Sequence, residues 1–216
     1  MLSLATDALD PADAYKLMVS AIVPRPIAWV STVGADGTPN LAPFSFYNGV
    51  AGPPPIVMFA PELRDGKPKD TLRNVRETGE FVLNVVDEAL AEQMCHTSGD
   101  WPYEASEYDL AGLALAPSVD VRPPRVADAP VAMEAKVTQI VPVTGTEYTM
   151  ILGRIVRFHI RIGLLRGNGS LDVHLLRPVA RLGSAEYATI GRVFRMRPPQ
   201  ASPVVLPENK VPRNAR

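Results

Sequence analysis

The residues whose types and spacing could do chemistry cluster between positions 24 and 74. Lys69-Asp70-Thr71 stands at the start of a predicted helix that Gly79 stops. A cation, a hydroxyl and helix N-terminal amides at one point are what a phosphate or another buried anion needs. Spacing alone favours a simpler reading, in which Asp70 or Thr71 caps the helix and Lys69 is solvated. Arg25, between Pro24 and Pro26, has a restrained backbone and a bidentate donor suited to a phosphate or a carboxylate, with a surface ion pair as an equal alternative. Ser31, Thr32 and Ser45 fall at or near predicted strand ends, where ordinary backbone satisfaction competes with ligand contact.

These residues need elements to hold them. Asp10-Pro11 reads as a helix start, followed by Ala14, Leu17, Met18 and Ala21 at helical spacing. Ile27 to Val33 is rich in β-formers and ends in Gly34-Ala35-Asp36-Gly37, so a hairpin is expected with residues 40–47 returning. Ile56 to Phe59 and Phe81 to Val86 are further strands, and Asp87 is expected to cap a third helix running to about Thr97. Along 131–141 apolar Val131, Met133, Ala135, Val137 and Val141 alternate with Glu134, Lys136 and Thr138, the pattern of a half-buried strand. After Thr144-Gly145-Thr146, a long strand from Tyr148 to Ile160 puts Tyr148, Met150, Leu152, Val156, Phe158 and Ile160 on one side. Long hairpins with few helices suggest a closed or nearly closed barrel, because closure removes exposed edges.

Composition narrows the classes. The chain has 216 residues, 46% hydrophobic and 21% charged, enough for one sizeable core. A formal charge of -1, with both signs interspersed, gives no electrostatic footprint for nucleic acid or an anionic membrane. With early acids and no long apolar core, the N-terminal stretch is not expected to be a signal peptide, and no segment reads as a membrane span, so the expected location is cytoplasmic. The single cysteine, Cys95, cannot form an internal disulfide and is expected to be a partly buried thiol. There is no GxGxxG after a strand and no GxxxxGK[ST], and His96, His159 and His174 sit in no ligand spacing. The division expected is one domain over residues 1–195 and a Pro-rich tail over 196–216.

The segments Pro24-Arg25-Pro26-Ile27-Ala28-Trp29-Val30-Ser31-Thr32, Asn40-Leu41-Ala42-Pro43-Phe44-Ser45-Phe46-Tyr47-Asn48 and Lys69-Asp70-Thr71-Leu72-Arg73-Asn74 together resemble the flavin reductase-like family of FMN-binding split barrels. Glu80-Phe81-Val82-Leu83-Asn84-Val85 and the late Arg177-Pro178-Val179-Ala180-Arg181-Leu182-Gly183, followed by Tyr187, continue the pattern. The resemblance covers most of residues 20–190. It implies a mainly β fold, a six-stranded Greek-key split barrel with a few short α-helices, usually a homodimer with non-covalent FMN near the subunit interface.

It also implies a function and a site. Members include NAD(P)H-dependent flavin reductases that supply monooxygenases, and flavoredoxin-like electron carriers. Carried onto this sequence, the FMN-binding set is Arg25, Ser31, Thr32, Ser45, Phe46, Asn48, Lys69, Asp70, Thr71 and Arg181. Lys69 and Thr71 would take the phosphate. Arg181 would favour the reduced, anionic ring by placing positive charge near it. Asn48-Gly49-Val50 departs from the serine-rich turn frequent after this asparagine. No catalytic acid–base residue and no metal are expected, because the cofactor carries the chemistry. The irregular stretch from His96 to Tyr108, with Trp101-Pro102-Tyr103, could form a flap over the ring or an ordinary packed loop.

Overall fold

The computed structural model describes residues 1–197. Helix α1, Pro11–Ala21, starts as expected, with the Asp10 carboxylate accepting from Ala12 N at 2.8 Å. Its apolar stripe does not enter the core: Leu17 and Met18 are exposed and only Val19 is buried. The short strand β1, Arg25–Pro26, leads into β2, Ala28–Val33, which turns at Gly34–Gly37 and returns as β3, Pro39–Phe44. Gly37 has φ +90°, a left-handed conformation that glycine adopts at little cost. The returning strand is shorter than expected, since Ser45-Phe46 break the chain before β4, Tyr47–Ala51.

Strand β5, Ile56–Phe59, pairs with β4, and helix α2 covers Asp70–Thr78. Gly79, at φ +69°, ends α2 as the sequence predicts. Strand β6, Glu80–Asn84, is followed by a 3-10 turn at Glu88–Leu90 and helix α3, Ala91–His96. Asp87 does not cap that turn, because its carboxylate pairs with Arg161 instead. Helix α4, Glu107–Leu110, and the short strands β7, Leu115–Ala116, and β8, Arg125–Val126, lie in the connection to β9, Val131–Pro142. Strand β10 is Thr149–Ile160, helix α5 is Val173–Leu176, and β11, Val179–Arg181, and β12, Tyr187–Thr189, pair with β1 in a small sheet.

The main sheet is antiparallel, with order β3-β2-β6-β9-β10-β5-β4. Its two edge strands are consecutive in the chain, separated only by Ser45 and Phe46. Three peptide steps span at most about 11 Å, so the sheet must curl until its edges nearly meet. The fold is a split barrel, with seven strands in the main sheet rather than six. Ala28, Val30, Phe59, Phe81 and Ile151 fill its interior, and Leu72 and Val75 of α2 join the same cluster. Phe81 fits because position 153 is glycine: a Cβ there would lie 2.4 Å from its ring. A second cluster, around Trp29, Leu41, Met94 and Tyr108, packs outside the barrel wall.

Two strands depart from the sequence pattern. In β10 the core takes Thr149, Ile151, Gly153 and Ile155, the side opposite the apolar residues that the alternation picked out, and Phe158 is exposed. A register shift between Ile155 and Arg157 interrupts strict alternation. In β9 the first five residues are all buried, Glu134 among them. Its carboxylate accepts from the amides of Val119 and Asp120 and bonds His159. Burial pushes the Glu134 carboxyl up, but His159 and the two amides outweigh it and hold the group below its ordinary range. Among the described residues no helix is long and apolar enough to cross a membrane. The tail expected from 196 lies, from 198 onward, outside the described residues.

Candidate functional site

Two cavities meet along β3 and the residue after it. The first, about 520 Å³, is walled by α1, by Ser45 and Phe44, and by the loop joining β11 to β12, with Arg25, Arg181 and Tyr187 in its lining. The second, about 340 Å³, is walled by the start of α2, by the hairpin before it and by the stretch 97–107. Pro43, Phe44 and Ser98 line both, so the two form one cleft divided by a shared wall. A smaller hollow of about 150 Å³, lined by Phe46, Tyr148, Glu62 and Lys69, opens beside them.

The α2 end is built to receive an anion. Lys69 is the N-cap residue, and no side chain caps the helix, so its first amides lack protein acceptors from a cap. Among the described residues Lys69 has no ion-pair partner, and it is half-buried on the cavity wall. Asp70, in the first turn, lies 2.9 Å from Arg73, which offsets the negative charge that would otherwise oppose an anion there. Thr71 is buried, and its hydroxyl accepts from Asn40 Nδ2 at 3.0 Å. That bond uses one acceptor position of a hydroxyl that lines the cavity, and its donor capacity remains available to a ligand there.

Asn40 is itself held in place. Its Nδ2 also donates to Thr32 Oγ1 at 3.2 Å, and Asn74 donates to the same oxygen at 3.1 Å. Thr32 is therefore buried support for the α2 end and lines no wall of the cleft. Ser31 is likewise buried, accepting from the Tyr108 hydroxyl at 2.9 Å. Glu107 lines the second cavity and accepts from Leu41 N at 3.1 Å. Burial, and secondarily the charge of Asp70, raise its carboxyl above the ordinary range.

The two arginines of the expected set, Arg25 and Arg181, spend their donors inside the protein. Arg25 is buried, and its guanidinium donates to the carbonyls of Val19, Ile22 and Leu182, with Ser45 Oγ 3.4 Å from Nε. It closes the end of α1 and ties it to the segment after β11. Arg181 donates to Tyr187 and to the Ser184 carbonyl while stacking 4.6 Å over the Tyr187 ring. It still faces the first cavity. Asn48 is exposed on β4, bonded to Gly49 N, away from both cavities. Phe46 packs on Tyr148 at 5.3 Å beside the small hollow, and it is Phe44 that stands where all three spaces meet.

The sequence reading missed Tyr15 and Ser20 of α1, Glu107, and the turn between β11 and β12. No local pattern marks them, since they become neighbours only through tertiary packing. The stretch from His96 to Tyr108 divides in two. Trp101 and Tyr103 line the second cavity, and Tyr103 is held by Asp36 at 2.8 Å and lies under Arg73, whereas Tyr108 is wholly buried. Cys95, expected to be partly buried, is exposed, 3.9 Å from the Tyr187 hydroxyl.

A split barrel with an anion-receiving helix start opening onto a cleft is the arrangement that phosphate-bearing flavins suit. Residues 19–171 match the family described as flavin reductase like domain, and the chain belongs to that family. It is similar in structure to nitrilotriacetate monooxygenase component B from Bacillus cereus, with TM-score 0.88 and 34% identity over 91% of this chain and 98% of that one. It is also similar to 2-nitrobenzoate 2-nitroreductase of Pseudomonas fluorescens, with TM-score 0.84 and 32% identity over 94% and 100%. A Shewanella frigidimarina protein with a split barrel domain shares the fold, at TM-score 0.82 and 21% identity over 93% and 100%. The protein is thus a flavin-related oxidoreductase of the split-barrel type.

Proposed function

We propose that the protein holds FMN non-covalently in the two-cavity cleft and acts as a NAD(P)H-dependent flavin reductase, passing electrons to free flavin, oxygen or a partner monooxygenase. The observation that carries this reading is the start of α2, which has no side-chain cap and whose residues Lys69, Asp70 and Thr71 line one cavity. Bound FMN would supply the two-electron chemistry. The chain's own residues would do the holding. Lys69 and Thr71 would hold the phosphate, and Pro43 to Ser45, which line the cleft, would hold the rest of the cofactor. Arg181 puts positive charge at the far end, and Trp101 and Tyr103 restrict water at the phosphate end. No acid or base is required of the protein for this work. Kinship in structure with a monooxygenase component supports a partner oxygenase as acceptor.

Freshly purified protein is expected to show a flavin visible spectrum, or to acquire one on adding FMN, and NADH or NADPH should bleach it anaerobically in stopped flow. If dithionite bleaches the flavin and neither nicotinamide does, the chain is a flavoredoxin-like carrier. A protein that takes up no FMN overturns both readings. We further propose a homodimer, supported by exposed Leu17, Met18 and Ile22 on and just after α1 and Phe158 on β10, which leave apolar surface for a twin. A sedimentation mass of one chain at micromolar concentration, FMN present, would count against it. The single domain over 1–195 and the cytoplasmic location belong to the same proposal.

A further inference from the structure

One part of the second cavity is left over once a flavin monophosphate has been assigned. Residues 63–69 form a tight hairpin: Arg64 and Lys67 exchange both backbone hydrogen bonds at 2.8 Å around Asp65-Gly66. Asp65 at φ 49° and Gly66 at φ 70° give the turn whose twist suits a two-residue hairpin. Residues that exchange both bonds lie with Cα atoms about 5.5 Å apart, so Arg64 and Lys67 stand side by side, and both line the cavity. Lys67 is separated from Lys69 only by Pro68. Two extended residues span about 7 Å, within the converging reach of two lysine side chains.

These cations are not needed by a single phosphate. Lys69, the Thr71 proton and the α2 amides already offer a donor for each of its terminal oxygens. Among the described residues Lys67 has no ion-pair partner, and Arg64 is held only by exposed Asp100. The acids on the same wall are otherwise occupied or marginal. Asp70 faces Arg73, Glu107 is bonded to Leu41 N with its carboxyl raised by burial, and Asp65 sits at the turn itself.

We propose that Arg64 and Lys67 form a second phosphate subsite that takes the additional phosphate of a dinucleotide, with Arg64 exchanging Asp100 for the ligand. This rests on the reading that the α2 start holds the flavin monophosphate. The shared chemistry is a second phosphate group, and it has two sources: the diphosphate of FAD, or the phosphates of a nicotinamide dinucleotide. The hairpin would then choose between flavins in the first case and grip the electron donor in the second.

The test is equilibrium binding to the double variant Arg64→Ala/Lys67→Ala, whose changes lie on exposed side chains. FMN and FAD are titrated against apoprotein by flavin fluorescence. The unreactive NAD+ and NADP+ are titrated against the FMN-loaded protein by calorimetry. The expected result is FMN affinity unchanged within about twofold and a loss of about tenfold or more for FAD or for a nicotinamide nucleotide. Loss for FAD identifies the flavin diphosphate as the source, and loss for NAD+ or NADP+ identifies the donor. Lys67→Arg should retain the affinity that Lys67→Ala loses. Equal weakening of FMN and FAD, no change for any ligand, or wild-type protein that binds none of the three dinucleotides would each overturn the proposal. Lys69→Ala with unaltered FMN affinity would instead overturn the reading beneath it, so the two failures are distinguishable.

Discussion

Arg25 and Lys69 look alike in the sequence, two cations beside proline with an anion as the natural partner, and the fold uses them in opposite ways. Arg25 is buried with its donors given to three backbone carbonyls, so it works as a clamp between α1 and the segment after β11. Among the described residues Lys69 has no ion-pair partner, and it stands on a cavity wall at a helix start without a side-chain cap. The difference follows from side-chain geometry. A planar guanidinium spreads five donors over three nitrogens and can reach carbonyls on separate segments at once, whereas a lysine's three donors radiate from a single nitrogen. At the first end of the cleft Arg25 is thus already satisfied, whereas at the α2 end Lys69 has no ion-pair partner among the described residues.

The largest expected effect lies at the satisfied end. Arg25→Ala leaves three carbonyls short of a donor, at roughly 1 kcal/mol or more each, so urea unfolding should show a loss of about 3 kcal/mol or more. Protein that remains folded should still bind FMN. If the variant were as stable as the parent but failed to bind FMN, Arg25 would belong with Lys69 and the contrast would collapse. Lys69→Ala is the converse. It should weaken FMN by about 1.5–3 kcal/mol while leaving unfolding unchanged, with riboflavin, which lacks the phosphate, as control. Equal weakening of both flavins, or of neither, would remove Lys69 from the phosphate.

The barrel was legible because its determinants are local. The Gly34–Gly37 turn, the stop at Gly79 and the runs of β-formers each act over a few residues, and the structure places elements where they point. What was not legible depends on which face meets another element. Alternation in residues 148–160 named one side of β10, but the interior takes the other, where Gly153 makes room for Phe81. Glu134 read as a solvent-facing strand position, and only the fold brings His159 and the Val119-Asp120 amides to it. Ser31 and Thr32 carry the right hydroxyls at the right strand end, yet their oxygens already accept from Tyr108 and from two asparagines. Residue type and position along the chain cannot reveal that a group has been satisfied from a distance.

The smallest expected effect tests whether the open end is also the more mobile one. Trp101 and Tyr103 cover the second cavity, and Tyr103 is secured by its hydroxyl donating to Asp36 in the β2–β3 turn and by Arg73 over its ring. The Thr38 amide and then the Tyr103 hydroxyl hold the Asp36 carboxyl below the ordinary aspartate range. A group whose pKa is lowered by folding contributes stability that is present above its unfolded value and lost as pH falls through its folded value. The latch should therefore be fully formed at neutral pH and loosen only in acid. Tyr103→Phe keeps the ring under Arg73 and removes only the hydroxyl. Amide exchange at pH 7 should become severalfold faster across residues 98–106 and stay unchanged in β9 and β10, with FMN released faster but the barrel no less stable. Parent protein brought to acid pH should, after correction for intrinsic exchange, approach the variant in this segment. If exchange across 98–106 were unaltered by the substitution, the stretch would be fixed by Tyr108 and its core contacts alone, and the flap would be an ordinary packed loop.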